Sequence, residues 1–253
     1  MNYRGIAVIF KNQMLSALRF PVQSIVSPIL STALYFVVFG AGIGARMSTV
    51  EGVSYGAFII PGLVMQAALS QSVTSATSAI YFPRFTGTIY EILSAPLSFF
   101  EVSAGYVGAS AARSIVIGLI ILATAWIFTP FDIQHPVWMV SFLFLTCITF
   151  SMLGFILGIW ADSFEQLSLI PLLVITPLTF LGGSFYSIKM LPPLWQTISL
   201  ANPVVYLISA FRWSFYGTAD VAVGTSLAVI AAFLATCLAV TAWIFKTGYR
   251  LRN

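Results

Sequence analysis

Driving a reaction or coupling to an ion gradient takes nucleophiles, general bases, metal ligands or membrane-buried carboxylates. This sequence places few of them where such chemistry occurs. A P-loop needs GxxxxGKS/T to cradle phosphates. The only lysines are Lys11, Lys189 and Lys246, and none follows a glycine, so the chain is expected to bind no nucleotide by itself. There is no HExxH pair and no metal-ligand spacing. The single histidine, His135, precedes Pro136 in a predicted outer loop and reads as a solvated loop residue rather than a hydrolase base. Cys147 and Cys237 lie inside apolar runs, where helix packing is their expected role. A proton-coupled carrier usually sets Asp, Glu or His deep in the bilayer. Here Glu51, Glu91, Glu101, Asp132, Asp162, Glu165 and Asp220 all map to predicted loops or span ends, which weakens secondary transport. No catalytic, cofactor-binding or metal-binding residue is therefore expected.

The elements that carry these residues are membrane helices. The chain is 59% hydrophobic and 7% charged, against roughly 25% charged in soluble domains. Its apolar residues come in runs of about 20, enough to span a hydrocarbon core as helix. Predicted spans cover about Val22–Gly40, Ala57–Tyr81, Ala104–Phe128, Val137–Trp160, Leu167–Phe185 and Leu227–Phe245. Residues 1–20 read as an interfacial helix: Ile6, Ile9, Phe10, Met14 and Ala17 share one side at 100° per residue, opposite Arg4, Lys11 and Arg19. Val8, Leu15 and Leu18 fall on the basic side. A helix on an anionic leaflet and a helix packed on a partner domain both fit this pattern. The same basic residues interrupt any signal-peptide h-region. The net charge of +4 comes from scattered basic residues that flank spans, so it indicates topology rather than nucleic acid. With the N-terminus inside, Arg4, Lys11, Arg19, Arg84, Arg113, Lys246, Arg250 and Arg252 fall on the cytoplasmic side. Arg46, Lys189 and Arg212 fall outside, and this bias sets both termini in the cytoplasm. The GxxxG pairs Gly40–Gly44 and Gly154–Gly158 are read as packing within one chain in preference to a subunit interface.

Two segments depart from plain spanning helix. Residues 82–101, FPRFTGTIYEILSAPLSFFE, form a cytoplasmic loop; Thr86 or Thr88 is expected to cap a short helix over Ile89–Ser94, and Pro96 to end it. In the second, Pro171, Pro177 and Gly182–Gly183 should distort the fifth span. Pro192–Pro193 and Asn202–Pro203 follow, and then an apolar run too short to span that carries Arg212. Residues 186–217 are accordingly read as a re-entrant outer segment, with Trp195, Tyr206, Trp213 and Tyr216 at headgroup depth. The fold class is all-α integral membrane protein: six transmembrane helices, an N-terminal interfacial helix, and a re-entrant outer segment between spans five and six.

Four stretches together resemble the ABC type-2 transporter permeases, in the branch of drug and nodulation exporters: YGAFIIPGLVMQ at 55–66, TGTIYEILSAPLSFFE at 86–101, PLTFLGGSFYSIKMLPPLWQ at 177–196 and ANPVVYLISAFR at 201–212. The resemblance extends over the whole chain as a single domain, 1–253. It implies the permease subunit of an ATP-driven bacterial exporter in the inner membrane, paired with a second permease copy or paralogue. Two separate ABC ATPase subunits would hold ATP and Mg. It further implies an ATPase-coupling role for Thr86, Gly87, Thr88, Ile89, Glu91, Pro96 and Glu101, and an outer re-entrant gate built from Gly182, Gly183, Pro192, Pro193, Asn202, Pro203 and Arg212. Because Glu91 and Glu101 are acidic on a mostly basic inner face, a basic partner surface is expected there. The alternatives are an autonomous carrier or channel, or a non-transport membrane scaffold; neither needs an ATPase partner.

Overall fold

The computed structural model describes residues 2–18, 26–44 and 49–250. Arg19, Arg46 and Arg252, the ends of the 1–20 segment, and residues 22–25 of the predicted first span lie outside the described residues. Helix α1 (Tyr3–Leu18) precedes α2 (Ser27–Tyr35), which widens into π-helical turns over Phe36–Ile43. A short antiparallel hairpin follows, β1 (Thr49–Val50) and β2 (Val53–Ser54), turning at Glu51 and Gly52, both with positive φ. Long helices α3 (Tyr55–Thr86), α5 (Phe99–Phe128) and α6 (Pro136–Trp160) form the body, with α4 (Ile89–Ser94) between α3 and α5. The fifth span is α7 (Phe164–Ile170), π-helical turns at Pro171–Ile175, and α8 (Thr176–Leu181). Then come α9 (Pro193–Leu200), α10 (Pro203–Tyr216) and α11 (Val223–Thr247).

Among the described residues, five helices are long and apolar enough to cross a membrane, and the predicted first span is present as a shorter apolar helix, Ser27–Gly40. The second to sixth predicted spans each fall on one of those five. The fifth breaks where expected: Pro171 lacks the amide that would continue the α ladder, and the turn widens there.

Helix α3 is the central element. Ile59, Ile60, Val64, Met65, Ala68, Leu69 and Val73 are fully buried along it, against α5 and α6. Without a hydrophobic force between helices in lipid, close backbone approach must supply the packing. Gly154 and Gly158 provide it: a Cβ on Gly154 would lie 2.6 Å from the Val73 carbonyl oxygen, and one on Gly158 would lie 2.9 Å from Thr77 Cα. Thr77 Oγ1 donates to the Gly154 carbonyl at 3.0 Å across the same seam. This GxxxG pair packs within the chain, as expected from sequence. Gly40 has nothing within 4 Å of the Cβ position. Gly154→Ala is therefore expected to lower stability by about 1–3 kcal/mol through overpacking, and Gly154→Leu to abolish the folded peak in detergent. Gly40→Ala should leave the melting temperature unchanged. Equal melting of Gly154→Ala and the parent chain would show that the seam yields.

Contacts between connections sort the bundle into two ends. The Ser187 hydroxyl lies within hydrogen-bond reach of Glu51 in the hairpin and of Asp220 before α11. The His135 amide donates to the Ser214 carbonyl at 2.9 Å. Because residues 187 and 220 meet, the intervening segment leaves one end of the bundle and returns to it. The 93° bend between α9 and α10 is thus a re-entrant turn rather than a broken span. At the opposite end, Asp162 after α6 pairs with Arg84 of α3 at 3.3 Å and with Arg250 after α11 at 2.9 Å. The Asn2 amide there donates to Glu101 at the start of α5. Both ends of the described chain lie at this second end.

Candidate functional site

The end that carries both ends of the described chain is built from α1, α4 and the adjoining turns. Gly87 closes α3 in the left-handed region, φ +78°, its amide donating to the Arg84 carbonyl. Helix α4 spans the residues expected, Ile89–Ser94, and stops at Ala95, which proline at 96 forces into extended backbone. The expected threonine cap does not form. Thr88 occupies the N-cap position without a side-chain bond to the helix; its hydroxyl lies 2.6 Å from that of Thr86, and Thr86 Oγ1 donates to the Phe82 carbonyl at 2.9 Å. The two hydroxyls close the turn at the end of α3 instead.

Ile89 anchors α4 inward, 2% exposed, in a core with Ala76, Ile80, Val102 and Tyr106. Glu91 and Pro96 face outward. Glu101 does not share that exposure. It forms a capping box with Ser98, accepting from the Ser98 amide at 2.8 Å, and also accepts from the Asn2 amide. Its carboxylate ties α1 to α5, so of the two expected docking acids only Glu91 is turned outward.

Helix α1 lies lengthwise on the first half of α5. Gly105 receives Ile9 and Gly108 faces Phe10, while Arg113 of α5 donates to the Gln13 carbonyl at 3.1 Å and to Ser75 of α3 at 3.0 Å. Ile9 and Phe10 of the predicted apolar side are thereby packed against the protein itself. Arg4, Val8, Lys11 and Leu15 face outward. A groove of about 470 Å³ runs between α1 and α4, lined by Arg4, Val8, Ile9, Glu91, Ile92 and Leu97 among others.

The opposite end holds a buried polar network. Arg212 in α10 is 1% exposed, and its guanidinium pairs with Asp220 at 3.0 Å. It donates to the Gly183 carbonyl at 2.5 Å and lies 4.1 Å from the centre of the Phe58 ring. Ser187 joins Asp220 to Glu51, which meets the exposed Lys189 at 3.7 Å. Gly183 has φ +81°, and Gly182 packs so closely on Val204 and Ile208 that a Cβ would clash. Asn202 caps α10 by accepting from the Val204 amide at 2.9 Å, and its amide nitrogen donates to Leu178 of α8; Pro203 fills the first helical position. Of the expected gate residues, Gly182, Gly183, Asn202, Pro203 and Arg212 converge, whereas Pro192 and Pro193 sit exposed at the start of α9. His135 is not a free loop residue: its ring stacks on Trp213 at 4.5 Å.

Sequence reading missed Phe58, Ser187, Asp220 and Glu51 as members of this network. The available signal was Arg212 itself, since a guanidinium inside an apolar run requires a buried carboxylate.

This arrangement of spans, short end helix and re-entrant segment defines a multi-pass, all-α membrane protein. Residues 4–216 match the ABC-2 type transporter family, and the chain belongs to it. It is 38% identical over 236 residues to the inner membrane transport permease YadH of Escherichia coli K12, covering 93% of this chain and 92% of the relative. It is 26% identical over 224 residues to nodulation protein J of Rhizobium meliloti, covering 86% of each.

Proposed function

We propose that the chain is the permease subunit of an ATP-driven exporter in a bacterial inner membrane. It forms the translocation path with a second permease subunit, identical or paralogous, above two separate ABC ATPase subunits. The end bearing the termini faces the cytoplasm, in line with the basic residues Arg4, Lys11, Arg84, Lys246 and Arg250 gathered there. ATP and Mg belong to the ATPase subunits, since the sequence offers phosphates no P-loop.

The observation that carries this reading is α4. It is a short helix clamped to the bundle by Ile89, with Glu91 turned out beside a groove shared with α1. Motion at α4 passes directly into α3 and α5, the helices it joins. Isolation of the chain from native membranes in mild detergent is expected to recover a stoichiometric ABC ATPase, with turnover lost when residues 86–101 are altered. A chain that emerges alone under several mild conditions would overturn the reading.

A further inference from the structure

A second feature of the bundle lies midway through it. Helices α2 and α3 face each other across a cavity of about 280 Å³ that carries Ser31, Thr32 and Tyr35 from one side and Gln66, Ser70 and Gln71 from the other. The spacing explains the convergence: positions 31 and 35, like 66 and 70, are i and i+4 on one helical face. Ser70 is halfway along α3, about 23 Å from either end at 1.5 Å per residue.

None of these six side chains hydrogen-bonds to another described residue, although serine and threonine in helices commonly bond back to the preceding turn. Gln66 Oε1 is buried and accepts nothing. In hydrocarbon, such groups need partners that lipid tails do not provide. Flush helix pairing does not account for them either, because it uses small residues in close contact rather than a concavity. The lining holds no cation among the described residues, and Arg113, one turn of α5 from the lining residue Ile117, is engaged by Ser75 and the Gln13 carbonyl.

The geometry points to a mid-membrane site for the uncharged, hydroxyl- or amide-bearing part of a cargo molecule. Two carboxamides and four hydroxyls offer donors and acceptors together and no net charge. The inference rests on the transport reading only in calling the ligand cargo.

Single cysteines at Ser70 and Gln66 test it. They are introduced into the full chain in native membranes, with buried Cys147 and Cys237 replaced by alanine, and with Leu238→Cys on the exposed face of α11 as control. Ser70→Cys is nearly isosteric, so folding is retained. Reaction with neutral 2-hydroxyethyl methanethiosulfonate should be about tenfold faster at Ser70→Cys and Gln66→Cys than at the control, the ratio a 1.4 kcal/mol difference produces. Decanoyl-N-methylglucamide below its micellar concentration should protect both sites. Decyltrimethylammonium and decyl sulfate, with the same tail, should not. Rates equal to the control, a Ser70→Cys disulfide to a second copy, or equal protection by the charged amphiphiles would each overturn the proposal. Labelling needs no ATP turnover. A chain isolated without an ATPase, yet labelled and protected in this pattern, would therefore remove the ATP-driven reading and keep the site.

Discussion

Asp220→Ala is expected to destabilise the chain by about 3–5 kcal/mol, the range for removing one partner of a buried ion pair. The size follows from what remains. Arg212 is 1% exposed and its partner 3%, so neither can turn to water. Without Asp220, the direct contacts left to the guanidinium are the Gly183 carbonyl and the Phe58 face, and its charge stays buried without a paired carboxylate. Ser187 cannot substitute, because its neutral hydroxyl brings no negative charge to pair with the guanidinium. The double variant Arg212→Met with Asp220→Leu should recover most of the loss, since replacing both charges removes the desolvation cost along with the attraction. By contrast, Lys189→Ala should cost under about 1 kcal/mol, because its ammonium is exposed and 3.7 Å from Glu51. Thermal unfolding of the three variants in one detergent decides the matter. An unchanged midpoint for Asp220→Ala would mean that the re-entrant segment is held by its apolar packing and that the ion pair contributes nothing net.

The parts of this architecture that were legible in sequence are those written in local terms. Span positions follow from apolar run length, the break in the fifth span from Pro171, and the end of α4 from the proline at 96; its start falls where expected, although the threonine cap expected there does not form. The amphipathic side of α1 was also legible, but not what covers it: Ile9 and Phe10 meet glycines of α5 nearly a hundred residues away. The same limit applies at both ends of the bundle. Glu101 is a capping-box residue by its spacing from Ser98, yet its bond to Asn2 depends on where α1 docks. Asp220, Ser187 and Glu51 lie in three different connections, and no periodicity links them. Pairings of this kind are decided by topology, after the helices have chosen neighbours. The polar faces of α2 and α3 are an intermediate case. Their i, i+4 spacing was visible, but only their juxtaposition turns two ordinary stripes into a cavity.

Glu91→Lys is expected to lower ATP turnover of the intact complex by about tenfold while leaving the melting temperature of the isolated chain unchanged, since a misplaced charge at a docking surface weakens association without touching the fold. Glu91 is exposed, makes no ion pair among the described residues, and borders the groove between α1 and α4 opposite Arg4. Reversing its charge adds a second cation beside Arg4 and repels a basic partner surface. Glu91→Gln should fall between parent and Lys, because it removes attraction without adding repulsion. Ile89→Asp is the contrasting case. That side chain is 2% exposed in the core beneath α4, so a carboxylate there should dislodge the helix and lower turnover and melting temperature together. Separating the two effects is what tests α4 as a coupling element. If Glu91→Lys left both turnover and retained ATPase unchanged, α4 would be a structural linker and the partner would dock elsewhere on this end. If it lowered turnover with the ATPase still bound, the charge would act in transmitting motion rather than in holding the partner.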